Sequence, residues 1–282
     1  MENRLAARNE MVNWQVAPKQ YEISNYDEPK LRYRKHVEQF INPLSLKSLR
    51  KKTFFTISTN VLCADISSSK DTIDPIDRDI YLPLEIAIVK WSLAEAKEPP
   101  ESRELDAKAW MINPGPPTKG SNCYALEHKR SHKIDFDPND QTQNTYIESD
   151  LSEVMKQINS FLSADRLVFS LTLKHVRQDL GSLKWLNRET GYRSKPIKVY
   201  SLQDLYVVMI RHFQPDLKSV IGYGMAEFRM EQSSDAYNSE LQCSYHKAMS
   251  KNEGGECRFC AKGLSIGWTS VLVDDVAKFG IA

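Results

Sequence analysis

The chain has 282 residues, of which 41% are hydrophobic, and a formal net charge of +1 at pH 7. This length fits one large domain or two modest ones, and a charge so close to zero leaves overall electrostatics without predictive value. No stretch resembles a secretory leader or a membrane span, so we expect an intracellular protein without a membrane partner. Five scattered cysteines in such a chain favour thiols and metal ligands over a disulfide framework.

The first fifty residues differ from the rest because they are polar, poorly periodic and basic toward their end. We predict a basic, partly ordered arm over residues 1–50, followed by a folded domain over residues 51–282. Such an arm can contact phosphates, although solvated surface charge is the commoner role of a basic run. The basic residues are Arg32, Arg34, Lys35, His36, Lys47, Arg50, Lys51 and Lys52.

From residue 54 onward, strand and helix patterns follow one another in a readable order. β-branched and aromatic residues predict the first strand, and a nearly continuous apolar run predicts a second strand that is buried on both faces. Strands are predicted over 54–62, 84–91, 108–112, 167–169 and 197–200. Helical spacing of apolar residues predicts helices over 151–162, 176–186, 201–210 and 264–279, the third starting with Ser201 and Asp204 as a capping box.

The resulting order, β-β-β-α-β-α-β followed by helices, is typical of an α/β protein in which crossover units extend a meander to form a mixed sheet. It is the order of ribonuclease H-like folds of the DnaQ exonuclease type. A fold by itself assigns no chemistry, so the function has to come from individual residues.

The end of the chain holds the densest set of metal-ligating residues, Cys243-x2-His246-x10-Cys257-x2-Cys260. Zinc takes four such ligands, and a structural zinc site leaves no position open for a substrate. Read locally, the four residues form a complete site of three cysteines and one histidine. The alternative is that one ligand comes from far upstream. Cys63 and Cys123 are most simply small buried residues.

Glu85 breaks the pattern of its strand because it lies within an apolar run from Leu82 to Val89. An unpaired carboxylate in such a strand is very costly, so it needs a cation, a hydrogen-bond network or a wet rim position. The residues alone leave two interpretations open, a carboxylate at the wet end of the strand and a metal ligand.

Seven short pieces of the sequence, in the same order along the chain, resemble the Maelstrom domain. The first is Leu82-Pro83-Leu84-Glu85, within the run from Tyr81 to Leu93. The others are Ile112-Asn113-Pro114-Gly115, Ser131-His132-Lys133-Ile134, Ser201-Leu202-Gln203-Asp204-Leu205, Cys243-Ser244-Tyr245-His246, Phe259-Cys260-Ala261 and Phe279-Gly280-Ile281. The resemblance covers roughly residues 54–281.

The resemblance implies a structural Zn²⁺ bound by a Glu-Cys-His-Cys set. The glutamate falls on Glu85, the first cysteine on Cys243 and the histidine on His246. The flanking Phe-Cys-Ala piece favours Cys260 as the last ligand, with Cys257 as a spare thiol, a neighbour of the site or the alternative ligand. Such a site would tie a buried strand to the C-terminal helices and contribute folding energy directly.

The comparison with DnaQ-type exonucleases also shows which acids this chain lacks. These enzymes hold two metal ions with clustered carboxylates. Residues 54–62 contain no acid where the family pattern has Asp-x-Glu, and Lys251 occupies the place of the Asp in the His-x-Ala-x-x-Asp motif. Asp179 has no evident companion. The residues therefore argue against a 3′–5′ exonuclease.

The Maelstrom resemblance implies a role in germline differentiation and meiosis, in transposon silencing by the Piwi-interacting RNA (piRNA) pathway, with partners among the proteins of that pathway. It also implies single-stranded RNA binding and a location in the nucleus and in perinuclear germ granules of the cytoplasm. Two basic stretches are the candidates for RNA contact, although solvated surface is the commoner role of such a stretch. They contain Lys129, Arg130, His132 and Lys133, and Lys174, His175 and Arg177.

Two alternatives stay open beside an RNA-binding protein that leaves RNA intact. One is a single-strand RNA endonuclease that does not use two-metal chemistry, for which an acid and a base are needed and no catalytic residue can be assigned. The other is a zinc-stabilised scaffold that only recruits proteins. Many family members carry an N-terminal HMG box; we expect a form lacking it here, which argues against DNA binding.

Overall fold

A computed structural model of the chain describes residues 28–65, 80–95, 103–116, 131–134, 147–148, 150–162, 167–192, 196–217, 221–253, 257 and 259–281. Six strands are present: β1 Phe54–Asp65, β2 Ile80–Trp91, β3 Asp106–Ile112, β4 Ile147–Glu148, β5 Val168–Ser170 and β6 Val199–Ser201. The α-helices in the described ranges are α1 Glu28–Ile41, α2 Leu46–Arg50, α3 Leu151–Phe161, α4 Leu173–Thr190, α5 Leu202–Phe213, α6 Tyr223–Glu231, α7 Ser244–Glu253 and α8 Ala261–Lys278. Short 3₁₀ helices cover Pro215–Leu217, Ser234–Tyr237 and Ser239–Leu241.

The strands form one mixed six-stranded sheet in the order β4-β3-β2-β1-β5-β6. The strands β1, β2 and β3 are an antiparallel meander, whereas β5 pairs in parallel with β1 and β6 in parallel with β5. This confirms the predicted α/β class and the mixed sheet flanked by helices. The two-residue strand β4, parallel to β3, was not predicted, since two residues carry no periodicity.

Two hydrophobic cores lie on the two faces of the sheet, which explains the continuous apolar run of β2. Alternate side chains of a strand point to opposite faces. Ile86 and Ile88 belong to one core with residues of α3 and α4, while Val89 and Trp91 belong to the other core with residues of α1, α5 and α8. The second strand is therefore buried on both faces, as predicted.

The described part of the predicted N-terminal arm consists of α1 and α2. Val37, Ile41 and Leu49 are fully buried in the second core, and Phe40 packs edge-to-face on Tyr200 of β6 with 5.2 Å between ring centroids. Residues 28–50 thus pack on the sheet domain. Residues 1–27 lie outside the described ranges, and a division of the chain at residue 50 stays a prediction.

The final helix, α8, lies close to the chain before it. It runs over Ala261–Lys278, a few residues earlier than predicted, with Cys260 as its N-cap. A Cβ atom on Gly267 would lie 2.6 Å from the backbone nitrogen of Ala236, so only glycine permits this approach to the 3₁₀ helix Ser234–Tyr237. The helix α5 begins as predicted, with the Ser201 hydroxyl accepting a hydrogen bond from the backbone N–H of Asp204. No described helix has the length and apolar character needed to cross a bilayer.

Candidate metal centre

The centre of the candidate site is Glu85 on β2, directly opposite Asn60 on β1 in the antiparallel ladder. The register shifts immediately after Asn60, so a bulge bends β1 at this point. Glu85 is 0% exposed. The interpretation of Glu85 as a carboxylate at a wet strand end is therefore wrong, because the side chain is enclosed by the protein and needs polar or cationic partners there.

Four buried residues meet around this carboxylate: Glu85, Cys243, His246 and Cys260. One ligand atom from each lies within 4.8 Å of all the others. The Sγ of Cys243 is 3.1 Å from Nδ1 of His246, the Sγ of Cys260 is 3.4 Å from Oε1 of Glu85, and Nδ1 of His246 is 3.7 Å from Oε2 of Glu85. The distant strand and the C-terminal segments thus form one cluster.

Glu85 is oriented by donors from both sides of the site. The Nδ2 of Asn60 donates to Oε2 of Glu85 over 2.7 Å, and the backbone N–H of Ala261 donates to the same oxygen over 2.8 Å. Asn60 also donates to the carbonyl of Phe259 over 2.5 Å. The strand β1 and the start of α8 are therefore joined through the carboxylate, which keeps Oε1 on the side of Cys260.

The tautomer of His246 is set by a backbone carbonyl. Its Nε2 lies 3.0 Å from the carbonyl oxygen of His132, which can only accept a hydrogen bond, so Nε2 carries the hydrogen. The lone pair of the neutral ring is then on Nδ1, which faces Cys243 and Glu85. A ligating histidine that donates its other N–H to a carbonyl is the usual arrangement in protein metal sites.

The cluster attracts a cation. Burial pulls the pKa of His246 down, but hydrogen bonds to Cys257 and Cys260 and the charge of Glu85 outweigh burial and raise the pKa to about 12. A proton on His246 and a metal ion at the cluster satisfy the same negative groups, so they compete. The pKa of the Cys260 thiol is raised well above its usual value, mainly by burial and further by the hydrogen bond to Cys243 and the charge of Glu85. A bound cation would lower this pKa again, because it stabilises the thiolate.

Both cysteines of the cluster lie at helix N-termini. Cys260 is the N-cap residue of α8, and Cys243 directly precedes α7, its carbonyl accepting the N–H of Lys247 over 3.0 Å. The N–H groups and the dipole at a helix N-terminus favour a thiolate over a thiol. The backbone N–H of Cys243 in addition donates to the Sγ of Cys260 over 3.2 Å. For Cys260 these N–H groups partly offset the burial that disfavours its thiolate, and a bound cation would supply the remaining stabilisation.

The donor set fits zinc. Zinc–ligand bonds of about 2.0–2.3 Å in a tetrahedron place ligand atoms roughly 3.3–3.8 Å apart, and the separations of 3.1, 3.4 and 3.7 Å given above fall close to that range. Four protein ligands would close the site, which suits a structural ion and leaves no position for a substrate. Glu85, Cys243, His246 and Cys260 would hold the ion and join β2 to α7 and α8.

Cys257, the alternative ligand, lies beside this group rather than in it. Its thiol is buried and 3.6 Å from the carbonyl oxygen of His132, the same oxygen that faces His246. Its own carbonyl accepts a hydrogen bond from Nε2 of Gln242 over 2.7 Å. The fourfold cluster therefore contains Cys260, which the flanking sequence favoured, and not the complete local set of three cysteines and one histidine. Cys63 is buried on β1 and is not part of the fourfold group, and Cys123 lies outside the described residues.

A second buried acid, Asp179 on α4, is held by hydroxyl groups instead of by other acids. It accepts from Thr59 of β1 over 2.7 Å and from Ser170 of β5 over 2.5 Å. Burial raises the pKa of Asp179 to about 7, although these hydrogen bonds act in the opposite direction. Asp179 does not belong to a cluster of three or more metal-ligating residues within the described ranges.

Among the predicted RNA contacts that the structure describes, only two lysines are exposed. Lys129 and Arg130 lie outside the described residues. Lys133 and Lys174 are exposed. His132 is only 3% exposed, and its ring lies 3.3 Å from the carbonyl of Val61, so the imidazole is not available to RNA on the surface.

The other two predicted contacts are partly buried on α4. The ring of His175 packs edge-to-face on Trp268 with 5.6 Å between centroids. Burial, together with the neighbouring charge of Lys174, lowers the pKa of His175 to about 4, so the ring is neutral at physiological pH. Arg177 is half-buried. A neutral, packed imidazole is a weak phosphate ligand, which leaves Lys174 as the exposed cation of this stretch.

Two parts of the site were missed from the sequence. Asn60, which orients Glu85, could have been noticed as a polar residue inside a β-rich strand, the same signal that marked Glu85. The carbonyl of His132 had no signal, because every residue carries a carbonyl and only the fold decides which one meets His246.

Comparison with known families supports the assignment made from the motifs. The family model Maelstrom, described as a piRNA pathway germ-plasm component, matches residues 75–281. The matched range contains all four residues of the cluster. No curated protein matches the chain significantly.

Proposed function

This chain belongs to the Maelstrom family, and from that premise we propose that it acts in the piRNA pathway by binding single-stranded RNA through a zinc-stabilised domain. The match over residues 75–281 is the observation that carries the proposal. Its role is transposon silencing in germ cells, with proteins of the pathway as further partners and with germ granules and the nucleus as its locations.

The zinc ion has a structural role in this proposal. The residues that would hold it come from β2, from the residue preceding α7, from α7 itself and from the N-cap of α8, so the ion would fix the C-terminal helices on the sheet. When bound, it would supply cross-linking and charge balance. Glu85, His246 and Cys260 are each 0% exposed, which supports a closed site without a route for a substrate.

The arrangement of the sheet supports a ribonuclease H-like fold of the DnaQ type without its chemistry. A meander is followed by two strands that extend the sheet in parallel beyond β1. Two-metal hydrolysis needs several carboxylates that are open to substrate. Asp179 is 1% exposed, and its two oxygens are taken by Thr59 and Ser170, so it is not available for such a centre.

The test is a binding and integrity assay with labelled single-stranded RNA in magnesium-free buffer. We expect saturable binding that weakens with salt, with a logarithmic slope of about −0.7 per phosphate contacted, and RNA that stays full-length on a denaturing gel. A duplex of the same sequence is the control and should bind more weakly.

The other outcomes separate the alternatives. Internal cleavage without magnesium would replace the binding-only proposal with the single-strand endonuclease. In a parallel reaction with added magnesium, stepwise shortening from the 3′ end would contradict the argument from Asp179. Absence of RNA binding by protein with a normal melting transition would leave the protein-recruiting scaffold.

A further inference from the structure

We propose that a groove between α1, α4 and the segment entering β6 is the surface on which this chain binds single-stranded RNA, an inference that rests on the proposed function. The groove has a volume of about 450 Å³. Its lining residues are Arg32, Tyr33, His36, Leu180, Lys184, Pro196, Ile197, Lys198, Val199 and Tyr200. Arg32 and His36 belong to the basic stretch that the sequence marked as able to contact phosphates, and the other eight were not among the predicted RNA contacts.

The charge of the groove is one-sided. Arg32 and His36 come from α1, Lys184 from α4 and Lys198 from the approach to β6. The described residues that line the groove include no aspartate or glutamate. In a chain whose net charge is only +1, three permanent cations and an imidazole around one concave surface form a local positive field that suits phosphates.

Aromatic rings lie between these cations. The ring of Tyr33 is partly exposed and 6.4 Å from that of Tyr200, which lies in the floor, and His36 is 6.3 Å from the same Tyr200 ring. The guanidinium of Arg32 lies 5.9 Å from the centre of the Tyr33 ring. Proteins that bind single-stranded nucleic acid combine cations with aromatic rings in this way. The cations attract the phosphates, and the flat faces of the rings stack on the unpaired bases.

The groove continues into a second cavity along α4. It shares Leu180, Lys184, Pro196 and Ile197 with a neighbouring cavity of about 120 Å³ that extends toward Met155 of α3. The larger part falls within the roughly 300–1,000 Å³ of small-ligand pockets, so a nucleotide-sized group fits, and the extension leads away from it along α4. Lys184 lies at the junction and would contact a phosphate between two bases.

A second pocket on the other side of α1 is a poorer candidate. It has a volume of about 360 Å³ and contains Arg34 and Lys174, but Asp204 and Glu227 also line it. Arg34 already faces Asp204 at 3.7 Å and lies 3.8 Å over the Tyr223 ring. Carboxylates at the surface repel phosphates, so the acid-free groove is the better RNA site.

The experiment compares two double variants of equal charge change in the full chain. Lys184→Ala with Lys198→Ala removes two groove cations, whereas Lys90→Ala with Lys278→Ala removes two exposed cations on β2 and α8, elements that contribute no residue to the groove. The groove variant should bind labelled single-stranded RNA at least tenfold more weakly, with a salt slope reduced by about 1.4 for two lost phosphate contacts. The control variant should stay within about threefold of the wild type, because screened distant charges matter little.

A third variant tests the aromatic part. Tyr33→Leu should weaken binding on the order of tenfold through the loss of base stacking while the salt slope stays unchanged. Melting temperatures near that of the wild type, measured for every variant, show that lost affinity does not come from unfolding.

The outcomes separate this proposal from the proposed function. Wild-type protein that binds RNA while both double variants bind equally well overturns the groove and leaves the function intact. Wild-type protein without affinity for RNA overturns both. Polyglutamate serves as a polyanion without bases. If the groove variant loses binding to polyglutamate as strongly as binding to RNA, the groove is a general polyanion surface, which also overturns the assignment.

Discussion

Replacing Glu85 tests whether the cluster is a metal site. In Glu85→Ala the backbone N–H of Ala261 loses its buried acceptor, while Asn60 keeps the carbonyl of Phe259 as a partner. One buried donor without a partner and one weakened donor cost about 2–4 kcal/mol before any metal is lost. Domains are stable by only about 5–15 kcal/mol, so losing the folding contribution of a structural zinc as well should bring this variant near unfolding.

Glu85→Gln is the gentler change because it keeps the size and one acceptor oxygen while removing the charge. We expect wild-type protein to contain about one zinc per chain and to melt at a lower temperature after treatment with a chelator. Glu85→Gln should contain clearly less zinc, melt lower than the wild type and respond less to the chelator. Elemental analysis and calorimetric melting measure the two quantities on the same sample.

The matched control is Glu153→Gln, the same change at an exposed position of α3, where the carboxylate faces the side chains of Lys156 and Gln157, each at 3.3 Å. It should keep its zinc and change stability by no more than about 0.5 kcal/mol. If Glu85→Gln keeps its full zinc content while Cys257→Ser loses zinc, Glu85 is not a ligand, and the ion is bound by the local set of three cysteines and one histidine. Wild-type protein without zinc and without a response to the chelator would refute the metal site itself.

Two further predictions concern folding. The folded pKa of Asp179, about 7, exceeds its usual 3.8, so its ionisation destabilises the native state as pH rises between these values. In the wild type this group should lower the melting temperature as pH rises from about 4 to about 7, and Asp179→Asn should flatten that fall. An unchanged pH profile would show that burial does not hold Asp179 protonated. Gly267→Ala should destabilise by about 1–3 kcal/mol because its Cβ would meet the backbone of Ala236 at 2.6 Å. Gly224→Ala in α6, with open space around the added Cβ, should instead stabilise by about 0.5–1 kcal/mol, and denaturant titration that finds equal effects would contradict the close approach.

Local patterns were sufficient for much of the fold. The apolar run of β2 predicted a strand buried on both faces, and Ser201 predicted the first turn of α5, because these features depend on a few neighbouring residues. The helix α1 was missed because most of its turns are polar, and Val37 and Ile41 are buried only through contact with a distant part of the chain. Propensity alone does not show that partner.

The metal-ligand cluster could be predicted in part, because some of its signals also depend on a few neighbouring residues. Glu85 was visible because a carboxylate in an apolar strand has to be compensated, and the spacing of Cys243 and His246 is local. The choice between Cys257 and Cys260 depends on the path of the chain into α8, where the N–H of Ala261 reaches Glu85 and the Sγ of Cys260 turns toward the same carboxylate. Spacing along the chain contains no information about that path.

The positions of the cluster and the groove imply that metal and RNA act on different properties of the protein. Glu85 lies on β2 and Tyr200 on β6, and three strand spacings of about 4.8 Å separate these strands by roughly 14 Å. The groove is built on α1 and α4, whereas the cluster joins β2 to α7 and α8. An ion at the cluster therefore cannot touch RNA in the groove and can influence binding only through the stability of the shared sheet. Loss of metal should lower melting temperature and affinity together, while loss of the groove cations should lower affinity alone, and this difference identifies the ion as structural.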